Sequence, residues 1–217
     1  MQWSLLDPLP EEQARAVLAA TRRRRFKRGE PVFHEGDPGE TLHLVDSGRL
    51  AVRVTTLMGE VATIRIHGPG SYFGELAVVD RAPRAASVVA LEAAVTLSLH
   101  RDAFVRLRRT HPGVDMLLID ALAGEVRRLT ARLVDALYTP ASERMVRCLV
   151  GLAEIYGIAG GQQVTVPLTQ EDLAGLCGTT RPTANQILMR LAERQLIELS
   201  RGKVTILDVG GLAAKLP

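Results

Sequence analysis

The sequence predicts an α+β fold in which an antiparallel β-rich N-terminal half is followed by a long helix and a C-terminal helix-turn-helix. Three observations carry this prediction. Short β-rich segments cut by Gly, Pro and Asp fill roughly the first hundred residues. A repeat of apolar residues with helical spacing then follows, and two capped helices with a β-hairpin come after it.

Composition bounds the class of protein. The chain has 217 residues, 47% of them hydrophobic, so it can bury a core of its own in one large or two modest domains. Cys148 and Cys177 form no CxxC pair and are interpreted as ordinary buried thiols of a reduced protein. The five histidines lack the spacing of metal ligands, so we expect no metal site. No signal peptide or spanning apolar run is visible, and we expect a soluble, cytoplasmic protein without a membrane partner.

Charge alone does not decide the partner. The formal net charge of +3 permits nucleic-acid binding without requiring it. The basic run from Arg22 to Arg28 is interpreted as a solvated face. From Ala141 onward, eight Lys or Arg stand against seven Asp or Glu. Attraction to DNA would therefore come from the placement of charge and from a second copy, with a moderate dependence of affinity on salt.

The N-terminal half has the pattern of antiparallel β-structure. Apolar and polar residues alternate in short runs, which gives one buried face per strand, as at Leu42, Leu44, Leu50, Val52 and Val54. Turn signals at roughly eight- to twelve-residue intervals are typical of a barrel or sandwich. A short helix is predicted before the first strand, within residues 10–21.

A long helix is predicted after His111. Its apolar residues recur at alternating steps of three and four, as on the a/d seam of a coiled coil; the seam residues are Ile119, Leu122, Val126, Leu129 and Leu133. So narrow a seam favours pairing with a second copy of the chain; packing on the chain's own β domain is the alternative. In "YTPASER" the helix should end, with Thr139 as N-cap and Pro140 in the first turn of the next helix.

The segment "LTQEDLAGLCGTTRPTANQILMRLAERQLIELSRGKVTILD" predicts a winged helix-turn-helix. Thr169 and Asp172 have the spacing of a capping box, Gly178 suits a tight turn, and Thr180 can cap a second helix. Two short strands around residues 201–203 predict a hairpin that would form the wing.

The second helix of such a motif places its first residues at base edges in the major groove. The candidates for reading bases are Arg181, Thr183, Asn185 and Gln186. Arg can bond O6 and N7 of guanine, and Asn or Gln can bond N6 and N7 of adenine. The candidates for phosphate contacts are Thr169, Gln170, Thr180 and Lys203. A helix pair with merely solvated polar residues is the alternative, and the basic wing favours double-stranded DNA.

These parts together resemble the Crp/Fnr family, that of the cyclic-AMP receptor protein and the fumarate–nitrate reduction regulator, over essentially the whole chain. "RGEPVFHEGDPGETLHLVDSGRLAV" is similar to the family's opening strands, "YFGELAVVDRAPR" to its phosphate-binding cassette, and "GTTRPTANQILMRLAERQLIELSRGKVTI" to its DNA reader and wing. The resemblance implies a cyclic-nucleotide-binding-like antiparallel β-roll over residues 1–111, a coiled-coil dimerisation helix and hinge over 112–138, and a DNA-binding domain over 139–217.

The resemblance also implies an effector site in the Gly74-Glu75-Leu76 cassette. In the family, the backbone at the position of Gly74 and the guanidinium at Arg84 hold the cyclic phosphate, while the carboxylate at Glu75 accepts a hydrogen bond from the ribose 2′-hydroxyl. Without the resemblance, Glu75 and Arg84 would be interpreted as a structural ion pair. No cofactor is implied beyond an effector such as cyclic AMP or another cyclic nucleotide.

Two positions depart from the cyclic-AMP-binding pattern. Ala85 stands where family binders carry a Ser or Thr hydroxyl that bonds the phosphate, which predicts a loss of affinity of about 10- to 100-fold. Leu129 and Thr130 stand where binders offer two hydroxyls to adenine, so only one remains. Weakly bound cyclic AMP, another small anion, and an empty pocket in a ligand-independent regulator all stay open.

The resemblance implies a homodimeric transcription regulator. An effector would shift the long helix and the hinge at residues 138–140, placing two recognition helices about 34 Å apart on a palindromic site. Contacts with RNA polymerase are expected. Pro182 and Gln186 replace the family's glutamate and second arginine, so only the guanine read by Arg181 is predicted. A ligand-sensing subunit that grips a protein is the alternative; an enzyme is more distant, because no P-loop, HExxH or GxSxG is found.

Overall fold

The structure, a computed structural model, describes residues 3–57, 59–111, 113–157 and 163–216. Pro112, where the dimerisation segment was predicted to begin, and the predicted loop at 158–162 lie outside the described residues. The contacts divide the chain into two compact units, Met1–Val54 with Arg65–Leu129, and Thr55–Ile64 with Thr130–Pro217. The predicted α+β class is confirmed.

The N-terminal part of the chain consists mainly of strands, with one short helix before them, one after β6 and one after β8. Its elements are α1 (Glu11–Ala19), β1 (Arg22–Phe26), β2 (Pro31–Phe33), β3 (Thr41–Ser47), β4 (Leu50–Thr55), β5 (Val61–His67), β6 (Tyr72–Phe73), α2 (Glu75–Asp80), β7 (Ser87–Ala90), β8 (Ala94–His100) and α3 (Arg101–Thr110). The strands form two sheets, in the orders β1-β8-β3-β6 and β2-β7-β4-β5. The ladders of β3 and β7 with their neighbours are antiparallel, as expected for a β-roll.

Alternation along β3 sorts its side chains between two cores. Leu42 and Leu44 belong to a cluster shared with α1, α3 and the sequence before α1. Val45 belongs to a second cluster, whose members come from both sheets, and His43 lies on the same side of the strand as Val45. The sheet that contains β3 is therefore covered by helices on one face and by the other sheet on its inner face.

The long helix α4 (Gly113–Tyr138) spans 26 residues. Its first turns are buried in the helix-side core of the N-terminal unit through Val114, Leu117, Leu118 and Ala121. None of the helices within the described ranges is both long and apolar enough to cross a membrane.

The C-terminal part contains the predicted helix-turn-helix and wing. Its elements are α5 (Ala141–Tyr156), β9 (Val164–Val166), α6 (Gln170–Cys177), α7 (Arg181–Glu193), β10 (Ile197–Ser200), β11 (Lys203–Ile206) and α8 (Val209–Ala213). The three strands form an antiparallel sheet in the order β10-β11-β9. The buried core here comes mainly from the helices and includes Met145, Leu149, Leu173, Leu188 and Leu212.

Helix ends in this unit follow the sequence signals with one exception. The capping box of Thr169 and Asp172 is present, and Gly178 ends α6 in the left-handed conformation. The prediction of Thr139 as the N-cap of α5 was wrong: the N-cap is Pro140, and it makes no side-chain cap. Thr139, the residue after α4, instead donates its hydroxyl to Asp135 Oδ1 at 3.0 Å and its N–H to the Asp135 carbonyl at 3.0 Å, which continues the bonding of the preceding helix.

Two histidines are buried inside the N-terminal unit, His43 and His67. Burial lowers the pKa of each from 6.5 to about 3, with a further lowering by Arg84 for His43 and by Arg65 for His67. As the pH falls below 6.5, the unfolded chain takes up a proton at these positions and the folded chain does not until about pH 3. Stability contributed by neutral His43 and His67 is therefore fully present above pH 6.5 and is lost towards pH 3.

Replacing His67 with Leu should make the free energy of unfolding less sensitive to acid. Between pH 6 and pH 4 the slope of the free energy of unfolding against pH should decrease by about 1.4 kcal/mol per pH unit, because one proton-binding group of the unfolded chain is removed. Denaturation followed by the fluorescence of Trp3, the single tryptophan, measures this for the N-terminal unit. Ile66→Leu, on the same strand, is the control, and its free energy of unfolding should depend on pH with the same slope as that of the wild type. The wild-type slope in His67→Leu would contradict the expectation.

Candidate effector pocket and nucleic-acid interface

Gly74 turns the chain between β6 and α2. Its φ of +83° lies in the left-handed region, where other residues are strained. A Cβ at this position would lie 2.7 Å from Arg84 Nη1 and 2.9 Å from the carbonyl oxygen of Thr41. Glycine is therefore required for the guanidinium to approach the turn, and the structure brings together the predicted pair Gly74 and Arg84.

The Arg84 side chain is buried against this turn, with 5% of the residue exposed. Nη1 donates to the Gly74 carbonyl at 3.0 Å, and Nη2 donates to the Thr41 carbonyl at 2.7 Å and to its hydroxyl at 2.9 Å. The guanidinium carbon lies 4.0 Å from the centre of the Phe33 ring. Arg84 Nε is buried and has no hydrogen-bond partner in the part of the chain that the structure describes. A buried donor without a partner is unfavourable, and an anion bonded to it would remove that cost.

Backbone hydrogen bonds fix the start of the Arg84 side chain. The Arg84 N–H donates to the Asp37 carbonyl at 2.8 Å, and the Gly36 N–H donates to the Arg84 carbonyl at 2.8 Å. Ala85 follows directly and is exposed. Its methyl group can donate no hydrogen bond, so any anion bound beside Arg84 would have to be held by the guanidinium and by the backbone of the turn.

Glu75 begins α2 and is half-buried, while the next residue, Leu76, is exposed. Burial raises the pKa of the Glu75 carboxyl, and its own backbone N–H opposes this. Burial lowers the pKa of Arg84, and the Glu75 charge opposes that shift. The hydrogen bonds of Arg84 go to carbonyl and hydroxyl oxygens, so the simple Glu75–Arg84 ion pair is not what holds the guanidinium. The Glu75 carboxylate can therefore accept a hydrogen bond from a hydroxyl group of a ligand.

A second charged group, which sequence reasoning missed, connects β5 to α4. Arg65 Nη1 donates to Glu125 Oε2 at 2.9 Å, and Arg128 Nε donates to the same oxygen at 2.8 Å. The hydrogen bond from Arg128 lowers the pKa of Glu125. The three-residue spacing of Glu125 and Arg128 on a helix was visible in the sequence. The partnership with Arg65 depends on the fold and had no local signal.

The predicted seam residues lie on α4, and we call them the α4 seam; most of them are exposed in the single chain. Ile119, Val126, Leu129 and Leu133 are each more than half exposed, and Leu122 is half-buried. Thr130, the remaining hydroxyl of the predicted adenine contact, is also exposed on this helix. The apolar positions that the N-terminal core does cover lie at the beginning of the helix and are not part of the seam.

Helices α6 and α7 form the helix-turn-helix, and α7 presents a polar face. Thr180 Oγ1 accepts from the Thr183 N–H at 3.4 Å and lies 3.0 Å from the Thr183 hydroxyl, so both threonines take part in the cap. The buried side of α7 consists of Ala184, Ile187, Leu188 and Leu191. The candidate readers Arg181, Asn185 and Gln186 are exposed, as a base-reading helix requires.

A cavity of about 360 Å³ lies between the start of α6, the start of α7 and the β10–β11 hairpin. Four of the predicted DNA-contacting residues line it, namely Thr169, Gln170, Arg181 and Lys203. Arg181 Nε lies 3.6 Å from Glu171 Oε2, a carboxylate that sequence reasoning did not single out. Both side chains are largely exposed, and such pairs contribute little to stability, so Arg181 can exchange this partner for a base or phosphate.

The two cysteines differ in burial, and Cys177 Sγ lies 3.5 Å from Met145 Sδ. Cys177 is buried and Cys148 is half-buried, so the expectation of two buried thiols was correct only for Cys177. The interaction with the Cys148 thiol, followed by burial, raises the pKa of the Cys177 thiol. Within the described ranges, no three or more His, Cys, Asp or Glu side chains are grouped so that they could hold a metal ion.

Known protein families match both parts of the chain. The family described as "Cyclic nucleotide-binding domain" matches residues 23–111, which include Gly74 and Arg84. The family described as "Crp-like helix-turn-helix domain" matches residues 143–215, which include α6, α7 and the wing.

Relatives match over nearly the whole length. The chain is 33% identical to the CRP-like cAMP-activated global transcriptional regulator of Mycobacterium tuberculosis, over 92% of each chain. It is 32% identical to the cyclic AMP receptor protein of Thermus thermophilus, over 93% of this chain and 91% of that protein. The crystal structure of the Thermus thermophilus catabolite activator protein matches with a TM-score of 0.58 and 32% identity, over 96% of each chain.

The chain therefore belongs to the Crp family of DNA-binding transcription regulators and contains a cyclic-nucleotide-binding domain. The relatives are regulators and not enzymes, in agreement with the sequence-based expectation.

Replacing Arg181 with Ala should remove the preference for guanine at one base pair of each half-site. Discrimination there should fall by about 1–3 kcal/mol, because a bidentate contact to O6 and N7 is lost. Selection of binding sites from random duplexes measures this preference. The same preference in Arg181→Ala as in the wild type would contradict a base-reading role.

Lys203→Ala is the matched comparison for a phosphate contact. It should weaken binding to all duplexes about equally and reduce the slope of log affinity against log salt by about one. A salt titration on one duplex measures the slope, and a slope unchanged from the wild type would contradict the phosphate assignment.

Proposed function

We propose that this protein is a homodimeric, cytoplasmic transcription regulator that binds a palindromic DNA site and takes a cyclic nucleotide, or a related small anion, in its β-roll. RNA polymerase is its expected partner at the promoter. The observation that carries the effector part is the buried Arg84 guanidinium, whose Nε has no acceptor within the described residues.

The chemistry of the pocket supports a ligand with both a phosphate and a hydroxyl. Arg84 offers positive charge and a buried Nε–H donor, which suit a singly charged cyclic phosphate. Glu75 offers a half-buried acceptor for a ribose hydroxyl, and Leu76 follows it on the exposed side of α2. Two relatives are named for cyclic AMP, which supports cyclic AMP as the first candidate.

Two further positions bear on the affinity of this ligand. Ala85 supplies no hydroxyl, so we expect weaker binding than in a pocket with serine there. Thr130 is proposed as the one remaining hydroxyl for the base. Together these positions favour a ligand held mainly through its sugar phosphate.

Pairing of two chains is supported by the exposed α4 seam. Apolar side chains at heptad spacing over this part of α4 are typical of a coiled coil. A homodimer would duplicate the DNA-reading unit and match a palindrome with half-sites about 34 Å apart. Residues 138–140, at the end of α4 and before α5, are proposed as the hinge between effector binding and DNA reading.

The proposed DNA contacts fall into two groups. Arg181, Asn185, Gln186 and Thr183 are proposed to face bases, and Thr169, Gln170, Thr180 and Lys203 to face phosphates. The exposure of the polar side of α7 and the cavity beside the wing support this division. Thr183 is the weakest of the base readers, because its hydroxyl is engaged with Thr180.

A second candidate is a regulator that needs no effector. Two observations favour it: Ala85 lacks the phosphate-binding hydroxyl, and the Arg84 guanidinium already has three protein acceptors. In that case the arginine would stabilise the β-roll and the dimer would bind DNA without a ligand.

Calorimetry with cyclic AMP and cyclic GMP distinguishes these candidates. Wild type should bind cyclic AMP, Ala85→Ser should bind it about 10- to 100-fold more tightly because a hydrogen bond to a charged group is gained, and Arg84→Gln should show no measurable binding. Trp3 fluorescence checks that each variant is folded. If neither nucleotide binds to wild type or Ala85→Ser while DNA binding is intact, a cyclic-nucleotide effector is excluded, which leaves another small anion or the effector-independent regulator.

A further inference from the structure

A buried chain of hydrogen bonds extends from Arg84 into the interior of the β-roll. The Thr41 hydroxyl oxygen lies 2.9 Å from Arg84 Nη2 and 3.0 Å from His43 Nε2. On the other side of the ring, His43 Nδ1 lies 3.0 Å from the Thr96 hydroxyl oxygen. Thr41 and His43 lie two residues apart on β3 and so share the inner face of the strand. This series of hydrogen bonds thus joins Arg84, Thr41, His43 and Thr96.

Packing fixes the ring at the centre of this chain. The His43 ring is stacked on Phe73, with centroids 5.0 Å apart and planes 3° apart, and Phe73 directly precedes Gly74. Phe33, which also lies under the Arg84 guanidinium, is 6.1 Å from the His43 ring. His43 is 4% exposed and Thr96 is fully buried, so the ring has no room to turn to other partners.

The donors and acceptors of this chain can be assigned. Burial, then Arg84 and Arg24, lower the pKa of His43 to about 3, so at neutral pH one ring nitrogen donates and the other accepts. Arg84 can only donate, so the Thr41 oxygen accepts from it and faces the positive charge. The Thr41 hydroxyl hydrogen then points to His43 Nε2, and Nδ1–H donates to Thr96. The reverse assignment would direct the ring N–H towards the Arg84 charge.

We propose that Thr41 and His43 are positioning residues of the effector site: His43, with its proton on Nδ1, orients the Thr41 hydroxyl, which holds the Arg84 guanidinium against Gly74 and leaves Nε for the ligand phosphate. This inference rests on the proposed effector function and deepens it. Because Ala85 adds no hydroxyl, affinity depends on a guanidinium that is already ordered before the ligand arrives.

An experiment without ligand tests these hydrogen bonds directly. Nitrogen-15 NMR of the full-length protein should show His43 with a protonated Nδ1 and an unprotonated Nε2. It should also show an Arg84 Nε–H that exchanges slowly with water, assigned by its loss in Arg84→Gln. Thr41→Val should accelerate that exchange at least severalfold, and Thr41→Ser, which keeps the hydroxyl, should restore it. An Nε2-protonated His43, or equal exchange in Thr41→Val and wild type, would overturn the proposal.

Affinity for cyclic AMP gives the second readout. His43→Phe keeps the ring stack on Phe73 and removes both nitrogens, and Thr41→Val removes the hydroxyl; each should lower affinity roughly tenfold, the effect of about one hydrogen bond. Thr41→Ser should bind like wild type. Val45→Ala cuts a fully buried side chain on the same strand and is the control: it should lower stability and leave affinity unchanged.

The outcomes separate this inference from the proposed function. If Arg84→Gln abolishes binding while His43→Phe and Thr41→Val bind like wild type, the effector function stands and the positioning role is wrong. If Arg84→Gln binds as well as wild type, the proposed function itself fails. If wild type does not bind cyclic AMP, the tautomer of His43 and the exchange of Arg84 Nε–H still decide whether the hydrogen bonds through Thr41 and His43 hold the guanidinium.

Discussion

The exposed apolar seam of α4 is the constraint on which the proposed action of this protein depends. Leaving apolar surface in water costs about 25 cal/mol per Å², so a long exposed stripe of it along one helix is a candidate interaction site. The first turns of the same helix are embedded in the core of the N-terminal unit through Val114 and Leu117. A shift in that core would therefore move the seam, and a paired seam would move two DNA-reading units together. Effector binding and DNA binding would then strengthen each other equally.

The proposed effector site is built around a buried positive charge without a directly bonded carboxylate among the described residues. Carbonyl oxygens of Gly74 and Thr41 and the Thr41 hydroxyl offset the cost of burying the Arg84 guanidinium. They leave its Nε without an acceptor in the described part of the chain. An anion that occupied this place would satisfy a donor that the protein itself leaves open. The glycine at position 74 is the backbone requirement of the arrangement, since any Cβ would displace the guanidinium.

Local signals predicted the architecture well, because periodicity and caps are set by neighbours in sequence. The strand alternation, the long helix, the capping box at Thr169 and the Arg201–Lys203 hairpin all had such signals. The partners of Arg84 had no local signal in the sequence, because Thr41 lies 43 residues away and only the fold brings it close. Thr41 and His43 alternate with leucines in "TLHLV", a pattern that indicates polar side chains on the inner face of β3 and that the sequence analysis did not use. The cap assigned to Thr139 was wrong because an N-cap residue is also a plausible last residue of the preceding helix.

Sedimentation equilibrium at micromolar concentration tests the central claim most directly, with wild type, Leu129→Lys in the seam and Leu57→Lys as the control. Leu57 is fully exposed and lies outside α4, so it carries the same charge change without touching the seam. Wild type and Leu57→Lys should sediment at twice the mass of the chain and bind a palindromic duplex. Leu129→Lys should sediment as a monomer and lose that binding. A monomeric wild type, or a Leu129→Lys chain that remains dimeric, would contradict the claim that the α4 seam pairs two copies.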